Sequence, residues 1–534
     1  MARRIVLLSG PIGVGKSTLT ESLQRIYQAR IVKTRELLDL EARLRLVQLN
    51  TREEYQAFGD NLDREDGGRW VADALAEVLK KETSNLIVVD AVRIQDQIRA
   101  VRERYGYAVF HLHLTANEAD LKNRFENRIT KFREASTYEA SQENLTEKGV
   151  WKLASIADAV VNTSLCEPED VVVRASTRLH LYSRDYTPTV DVLVGGQFGS
   201  EGKGNVANYL AQEYDLLIRG GGPNAGHKVY EHPDPYTHHL LPCGTRRTQA
   251  QLLIAPGAVI SLSGLLKEAH ECSVGPERLS IDPQVMVITP EDILSEAALV
   301  KQIGSTGQGV GAATARRIMA RGSDIKLAKD YPELKSFIRE SKEILEDAYR
   351  YGRRILVEGT QGAGLSLYHG YYPHVTSRDT SVSAALAEAG IPPKRVRKVI
   401  MTCRTYPIRV QDGAEGTSGK LTRELTWKDV SDRSGVNLKI LESAELTSTT
   451  KKKRRVGEFD WVQLRRAALL NGPTDIALTF VDYIDAKNQK ARRFEQLSDS
   501  TIQFIEEVED VTAAPVSLIS TRFDFRSIID RRNW

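Results

Sequence analysis

Short apolar runs, each closed by a glycine or a charge and followed by a longer amphipathic stretch, recur through the first 165 residues. Arg4–Ser9 predicts a strand and Lys16–Ala29 a helix. Asn85–Asp90 predicts a second strand ahead of a helix over Ile94–Tyr105, and Ala108–Leu114 a third ahead of a helix over Ala116–Ile129. The runs are continuous rather than alternating, as in strands covered on both faces. Strand–helix alternation of this kind builds a parallel sheet between two layers of helices. Around Ser176–Pro188 the pattern loosens into Ser, Arg, Asp, Thr and Pro, and a fresh strand at Thr189 leads into another glycine-rich loop. The expected division is a first α/β domain over 1–175, a linker over 176–188 and a second α/β domain over 189–534, with no repeats.

At 534 residues the chain exceeds what one hydrophobic core supports, in keeping with two domains. With 41% hydrophobic and 27% charged residues it falls among globular rather than disordered chains. No apolar run approaches the roughly 20 residues that cross a bilayer. The apolar N-terminal stretch runs into the first glycine loop without a cleavage site, so it reads as a core strand and not an export signal. A net charge of +3 supplies no field for nucleic acid or membrane. Cys166, Cys243, Cys272 and Cys403 lack metal-ligand spacing, as expected of thiols in a reducing cytoplasm. A soluble cytoplasmic protein without membrane or direct nucleic-acid contacts is expected.

Gly10-Pro11-Ile12-Gly13-Val14-Gly15-Lys16-Ser17 fits Gly-x-x-x-x-Gly-Lys-Ser after a strand and at the start of a helix. Gly10, Gly13 and Gly15 let backbone N–H groups converge on phosphate oxygens at a helix N-terminus. Lys16 would reach the outer phosphates and the Ser17 hydroxyl would ligate Mg2+. Asp90, ending a buried strand, suits a second magnesium or substrate ligand; the alternative is a helix N-cap. This region resembles nucleoside and deoxynucleoside monophosphate kinases and their dephospho-coenzyme-A-kinase-like relatives. The resemblance rests on Val32–Leu38, on Val89-Asp90-Ala91-Val92-Arg93, where Ala91 replaces a glycine, and on the closing strand Ile156–Asn162. It implies that Thr34, Arg35 and Arg93 hold a monophosphate acceptor. It also implies that Arg124, Arg128 and Arg133 form an arginine-bearing lid that neutralises the transferring phosphoryl group.

The second glycine loop, Gly195-Gly196-Gln197-Phe198-Gly199-Ser200-Glu201-Gly202-Lys203-Gly204-Asn205, resembles the phosphate loop of the adenylosuccinate synthetase family. In the family's order follow Gly220–His227, Ile303–Gly311, Val357–Gly362, His369–Ser377, Arg409-Val410 and Thr449–Arg455. The resemblance implies an α/β ligase that phosphorylates a purine 6-oxygen and displaces the phosphate with the amine of L-aspartate, using Mg2+. Catalysis then falls to Ser200, Lys203 and His227, with Gly226 and Ser200 towards the metal. Glu201, Gly202, Gly204, Asp482 and Ser520 would hold the nucleoside triphosphate. Asn224, Ser305, Thr306, Gln361, Thr376 and Val410 would hold the purine monophosphate. Thr449, Thr450, Lys452 and Arg454 would hold aspartate, whose carboxylates suit that basic run. Lys452 stands where the family has arginine. The family's cross-subunit phosphate arginine falls near Ala320, beside Arg321, so a homodimer is expected.

The departures set the substrate. Ser200 replaces the family's aspartate, which takes the N1 proton of IMP; a serine hydroxyl is a poor base and brings no charge to the metal. The 2-aminoadenylosuccinate synthetase branch, found in phages, carries serine there and acts on dGMP, and this chain resembles it in that respect. Phe480 replaces the usual lysine near Asp482, and the branch that the chain resembles can use ATP or dATP, so the resemblance implies ATP, dATP or GTP as donor. The expectation is a bifunctional enzyme that joins aspartate to dGMP or GMP and phosphorylates a related monophosphate. An IMP-using adenylosuccinate synthetase and an inactive nucleotide sensor are the alternatives.

Overall fold

The computed structural model describes residues 3–90, 92–127, 138, 149–164, 166–182, 186–230, 234–322, 324–446 and 452–532. They form two compact units, Met1–Arg184 and Asp185–Trp534. The first contains β1 (Arg4–Ser9), α1 (Lys16–Tyr27), β2 (Arg30–Lys33), α2 (Thr34–Leu44), α3 (Arg52–Asp66) and α4 (Arg69–Lys80). There follow β3 (Leu86–Asp90), α5 (Gln95–Tyr105), β4 (Val109–Thr115), α6 (Glu118–Glu126), β5 (Ala159–Asn162) and α7 (Pro168–Arg178). The strands form one parallel sheet ordered β2-β3-β1-β4-β5. Alternate residues of β1 explain the layers: Ile5 and Leu7 pack with Leu37, Trp70, Leu75 and Ile98 on one face. Val6 and Leu8 pack with Leu19, Leu23, Val172 and Ala175 on the other. Ser176–Arg178, expected in the linker, are instead the last turn of α7, where Ser176 and Leu179 are fully buried.

Under the first glycine loop, the Ser9 hydroxyl meets His111 Nε2 at 2.7 Å and His113 Nδ1 at 2.8 Å. One ring accepts the hydroxyl proton while the other donates to the oxygen, so one serine serves one nitrogen of each neutral ring. Both are held down to about 4, first by burial; Arg102 and His113 add to this at His111, and Lys16 does at His113. Between pH 6.5 and 4 the unfolded chain therefore binds protons that the fold refuses. Stability is complete above pH 6.5 and falls as pH drops, by up to about 3 kcal/mol per histidine. Calorimetric unfolding between pH 8 and 5 is expected to show this acid loss in the first unit, and His113→Gln to flatten part of it.

The second unit is built on a nine-stranded sheet. In chain order its strands are β6 (Val190–Gly195), β7 (Leu216–Arg219), β8 (Gln251–Ile254), β9 (Leu279–Ile281) and β10 (Ile355–Glu358). Then come β11 (Val396–Arg404), β12 (Asp475–Thr479), β13 (Val516–Ser520) and β14 (Ile528–Asp530). The order is β9-β8-β7-β10-β6-β11-β12-β13-β14, parallel except for the last pair. One face packs Val190, Val192 and Val194 against Leu464, Ala467 and Ile505. The other packs Leu193 against Val206 and Leu210 of α8 (Lys203–Leu210). No described helix is long and apolar enough to cross a membrane, and all four cysteines are free.

Candidate functional site

Both glycine loops reach their helices by the same device. Gly15 (φ +96°) precedes Lys16 of α1, and Gly202 (φ +84°) precedes Lys203 of α8. The left-handed conformation, which glycine tolerates, places a lysine at the first helical position above converging N–H groups. In the second loop Glu201 is a brace rather than a surface group. Its Oε1 accepts from the Gln197 and Gly199 amides at 2.9 and 2.8 Å, and its Oε2 meets Lys203 Nζ at 2.5 Å. A Cβ on Gly195 would lie 2.7 Å from that Nζ and 2.8 Å from Glu201 Oε2, so glycine is needed beneath the loop.

The loop forms one wall of a cleft of about 420 Å³, within the range of small-molecule sites. The cleft brings together Ser200, Gly202, Lys203, Gly204, Asn224, Gly226 and His227 with Ser305, Thr306, Gln361, Thr376, Val410, Lys452 and Arg454. Antiparallel pairing of Ile408–Val410 with Arg454–Gly457 sets Val410 opposite Arg454. Gln361, in left-handed backbone at φ +59°, donates to the Thr376 hydroxyl at 3.0 Å. Glu201 lies beneath the loop, outside the lining; Asp482 and Ser520 are also buried outside the lining. Asp482 follows Phe480, which does line the cleft. Burial pushes the Asp482 carboxyl up to about 7 against the hydrogen bond from Gln489. Ser520 donates to the Arg522 carbonyl at 2.8 Å. Thr449 and Thr450 lie outside the described residues.

His227 is set by a buried carboxylate. Its Nδ1 lies 2.5 Å from Glu358 Oε1, which also accepts from Arg219 Nη1 at 2.7 Å. The bond to a carboxylate fixes the proton on Nδ1 and leaves Nε2 as an acceptor; among the described residues Nε2 has no partner. Burial first, then Arg219, hold the imidazole down to about 4, against the pull of Glu358. Burial alone would raise Glu358; Arg219 and the His227 hydrogen bond overcome it and keep the group ionised. Cys243 donates its thiol and its backbone N–H to the same carboxylate, each at 2.8 Å. His227, Cys243 and Glu358 lie close enough to hold a metal. The guanidinium of Arg219, 2.7 Å from Glu358 and 3.8 Å from the Cys243 sulfur, is already the cation of that cluster.

For Mg2+ the cleft offers the Ser200 hydroxyl and the Gly226 carbonyl. Both Glu201 oxygens are engaged by the loop and Lys203. Neutral oxygens suit a magnesium that arrives already coordinated by nucleotide phosphates.

In the first unit Lys16 Nζ donates to the Gly10 and Pro11 carbonyls at 2.5 and 3.0 Å, and Ser17 is exposed beside it. Asp90 is no N-cap, since α5 starts after Ile94. Its Oδ1 is buried without a partner among the described residues, and burial raises its carboxyl against Lys16, Lys33 and Arg93. A carboxyl with one buried, unpartnered oxygen in the field of the loop lysine, with the Ser17 hydroxyl, fits a magnesium-nucleotide site. Thr34 donates to the Asp90 carbonyl at 2.8 Å, and the Arg93 guanidinium acts on the same carboxyl. Arg35 lies over the Tyr55 ring at 4.6 Å. Arg124 is tied to the Thr163 hydroxyl and carbonyl at 2.9 and 2.8 Å. Arg128 and Arg133 lie outside the described residues.

Sequence reading assigned no role to Arg219, Glu358, Cys243, Arg404 or Glu445. A signal existed for the first two: each is a charge closing an apolar strand, and such charges are buried only in pairs. In the sheet β7 and β10 are neighbours, with Arg219 and Glu358 in register.

The adenylosuccinate synthetase family profile matches residues 192–331 and 325–489. The adenylosuccinate synthetase of Methanocaldococcus jannaschii is 37% identical over 354 residues, which is 65% of this chain and 97% of that protein. That of Thermococcus onnurineus is 37% identical over 351 residues, 64% of this chain and 98% of its own. Among solved structures, the fully ligated adenylosuccinate synthetase of Plasmodium falciparum shares the fold, with a TM-score of 0.57 at 20% identity. The match covers 64% of this chain and all of that one. The succinoaminodeoxyadenylate synthetase of cyanophage S-2L, solved bound to dGMP and dATP as an energy donor, matches with a TM-score of 0.54 at 26% identity. It covers 65% of this chain and 96% of that one.

Proposed function

From the premise that this chain belongs to the adenylosuccinate synthetase family, we propose that it is a bifunctional purine nucleotide enzyme. Residues 189–534 join L-aspartate to C6 of dGMP or GMP, giving a 2-amino-(deoxy)adenylosuccinate, and residues 1–175 phosphorylate a (deoxy)nucleoside monophosphate. The observation that carries the substrate is Ser200 on the cleft wall. A small neutral side chain there leaves room for a guanine 2-amino group. The similar cyanophage S-2L enzyme, bound to dGMP, supports this reading.

The donor's γ-phosphoryl passes to the purine 6-oxygen as the N1 proton leaves. His227 Nε2 is our choice of acceptor for that proton, because the Ser200 hydroxyl is too weak a base. Lys203 and the loop amides take the charge of the donor phosphates. The aspartate amine then forms the C6–N bond, and phosphate leaves with the surplus amine proton. Ser200 and Gly226, with the nucleotide phosphates, would hold Mg2+, which would supply charge neutralisation when bound. Asp482, whose carboxyl burial pushes up to about 7 and whose Oδ1 has no partner among the described residues, supports either purine in the donor. Ionised, it accepts from guanine; protonated, it donates to adenine N1. The reading includes a cytoplasmic homodimer, and exposed Ile318 and Met319 beside Arg321 support the dimer.

Incubation with L-aspartate, ATP or GTP, Mg2+ and dGMP, GMP or IMP, followed by mass analysis, tests the assignment. An aspartate adduct is expected on dGMP or GMP; an adduct on IMP alone would remove the guanine reading, and none on any purine would favour a sensor. Ser200→Asp is expected to shift the ratio of kcat/KM for dGMP over IMP by about a hundredfold towards IMP, the scale at which unfavourable polar contacts discriminate. An unchanged ratio would show that position 200 does not select the base.

A further inference from the structure

Glu445, which follows the helix Leu438–Ala444, is fully buried at the edge of the cleft. A bridge between Leu446 and Lys453 brings residues 445 and 454 alongside each other. Glu445 Oε2 accepts from Arg454 Nη1 at 3.0 Å. Its Oε1 accepts from Arg404 Nη2 and from the Tyr483 hydroxyl, both at 2.8 Å. Arg404 turns its other nitrogen, Nη1, to the Ser200 carbonyl at 3.2 Å and lies 4.1 Å over the Phe480 ring. The Gln197 side chain grips the Arg404 backbone with two hydrogen bonds of 3.0 Å. One carboxylate thus joins the wall that carries Arg454 to the loop that carries Ser200.

The charges have a direction. Two guanidinium groups share one carboxylate, which leaves an excess positive charge in a buried network whose opening is at Arg454. Arg454 lines the cleft, and its Nε is buried without a partner among the described residues. A guanidinium held by one edge presents its remaining N–H groups in a fixed plane, the geometry that grips a carboxylate.

We propose that Glu445 is a positioning residue for the amino-acid substrate: it fixes Arg454 to receive a carboxylate of L-aspartate and, through Arg404, sets the Ser200 loop at the same spacing. The proposal rests on the ligase reading above. It assigns Glu445 no contact with substrate; its effect passes through the two arginines.

Glu445→Gln and Glu445→Asp in the full chain test it. Glu445→Gln keeps the shape and removes the charge, and the KM for L-aspartate is expected to rise about 30-fold, as misplacement of a binding group does. The donor KM is expected to stay within about twofold, because Lys203 keeps its own bond to Glu201, and the KM for purine monophosphate to rise less than that for L-aspartate. Glu445→Asp, which keeps the charge on a shorter arm, is expected to recover part of the loss. It also serves if the glutamine variant fails to fold. A merely structural role would lower the active fraction and leave every KM unchanged, and that outcome overturns the proposal. If the parent protein forms no adduct on any purine, the ligase reading fails by itself. Calorimetric titration of L-aspartate into the parent and Glu445→Asp proteins, with purine monophosphate present, then decides: weaker binding in the variant supports the proposal, and equal or undetectable binding in both refutes it.

Discussion

His227→Asn is expected to lower the rate of aspartate ligation by about a thousandfold, within the range for loss of a positioned acid–base group. Asparagine keeps a donor near Glu358 but has no atom where Nε2 stood. The loss is expected in kcat and kcat/KM alike, with the KM of the donor unchanged, because Nε2 acts on the reacting purine and not on the triphosphate. The Arg219–Glu358 pair, 2.7 Å apart in the parent, does not depend on the imidazole, so no buried charge is stranded. Glu358→Gln lacks that protection: it leaves Arg219 buried without a counter-charge, a loss of about 3–5 kcal/mol, and would confuse folding with catalysis. The pH profile adds a second mark. Since His227 in the free protein is held to about 4, its acid limb in kcat/KM is expected below pH 5 rather than near 6.5. Steady-state rates from pH 4 to 9, with the adduct measured by mass, check both statements. A fall of less than threefold, or a limb near 6.5, would take His227 out of the proton-transfer role.

The geometry behind that expectation was only half legible in the sequence. The two glycine loops could be read because a phosphate loop is local: its glycines, lysine and following helix lie within a dozen residues. The strands β1, β3, β4 and β6 could be read because a strand covered on both faces is a continuous apolar run. The partners of His227 could not. Glu358 is 131 residues from His227 and 139 from Arg219, and only the adjacency of β7 and β10 brings the three together. Arg404 and Glu445 were hidden for the same reason, each unremarkable until Ser200, Arg454 and Tyr483 surround it. The end of α7 misled for another cause. Ser176, Thr177 and Arg178 are polar, yet the fold buries Ser176 and holds the helix for one more turn.

Lys16→Ala is expected to abolish monophosphate phosphorylation, by about a thousandfold or more, while leaving aspartate ligation within twofold of the parent. The magnitude follows from removing a preorganised cation from the transferring phosphoryl group. The selectivity follows from where the charge is anchored. Lys16 is half-buried and rests on two backbone carbonyls. Its loss strands no buried ion, and the loop keeps its left-handed glycines. Lys203 occupies the same position on α8 but is fully buried against Glu201 at 2.5 Å. Its removal would leave that carboxylate uncompensated and cost about 3–5 kcal/mol, so a dead Lys203 variant would not separate chemistry from folding. Measuring both activities on one preparation of the Lys16→Ala protein makes the distinction. Phosphorylation that persists at the parental rate would remove the kinase assignment from the first loop. Ligation that falls with it would show that the ligase depends on that loop.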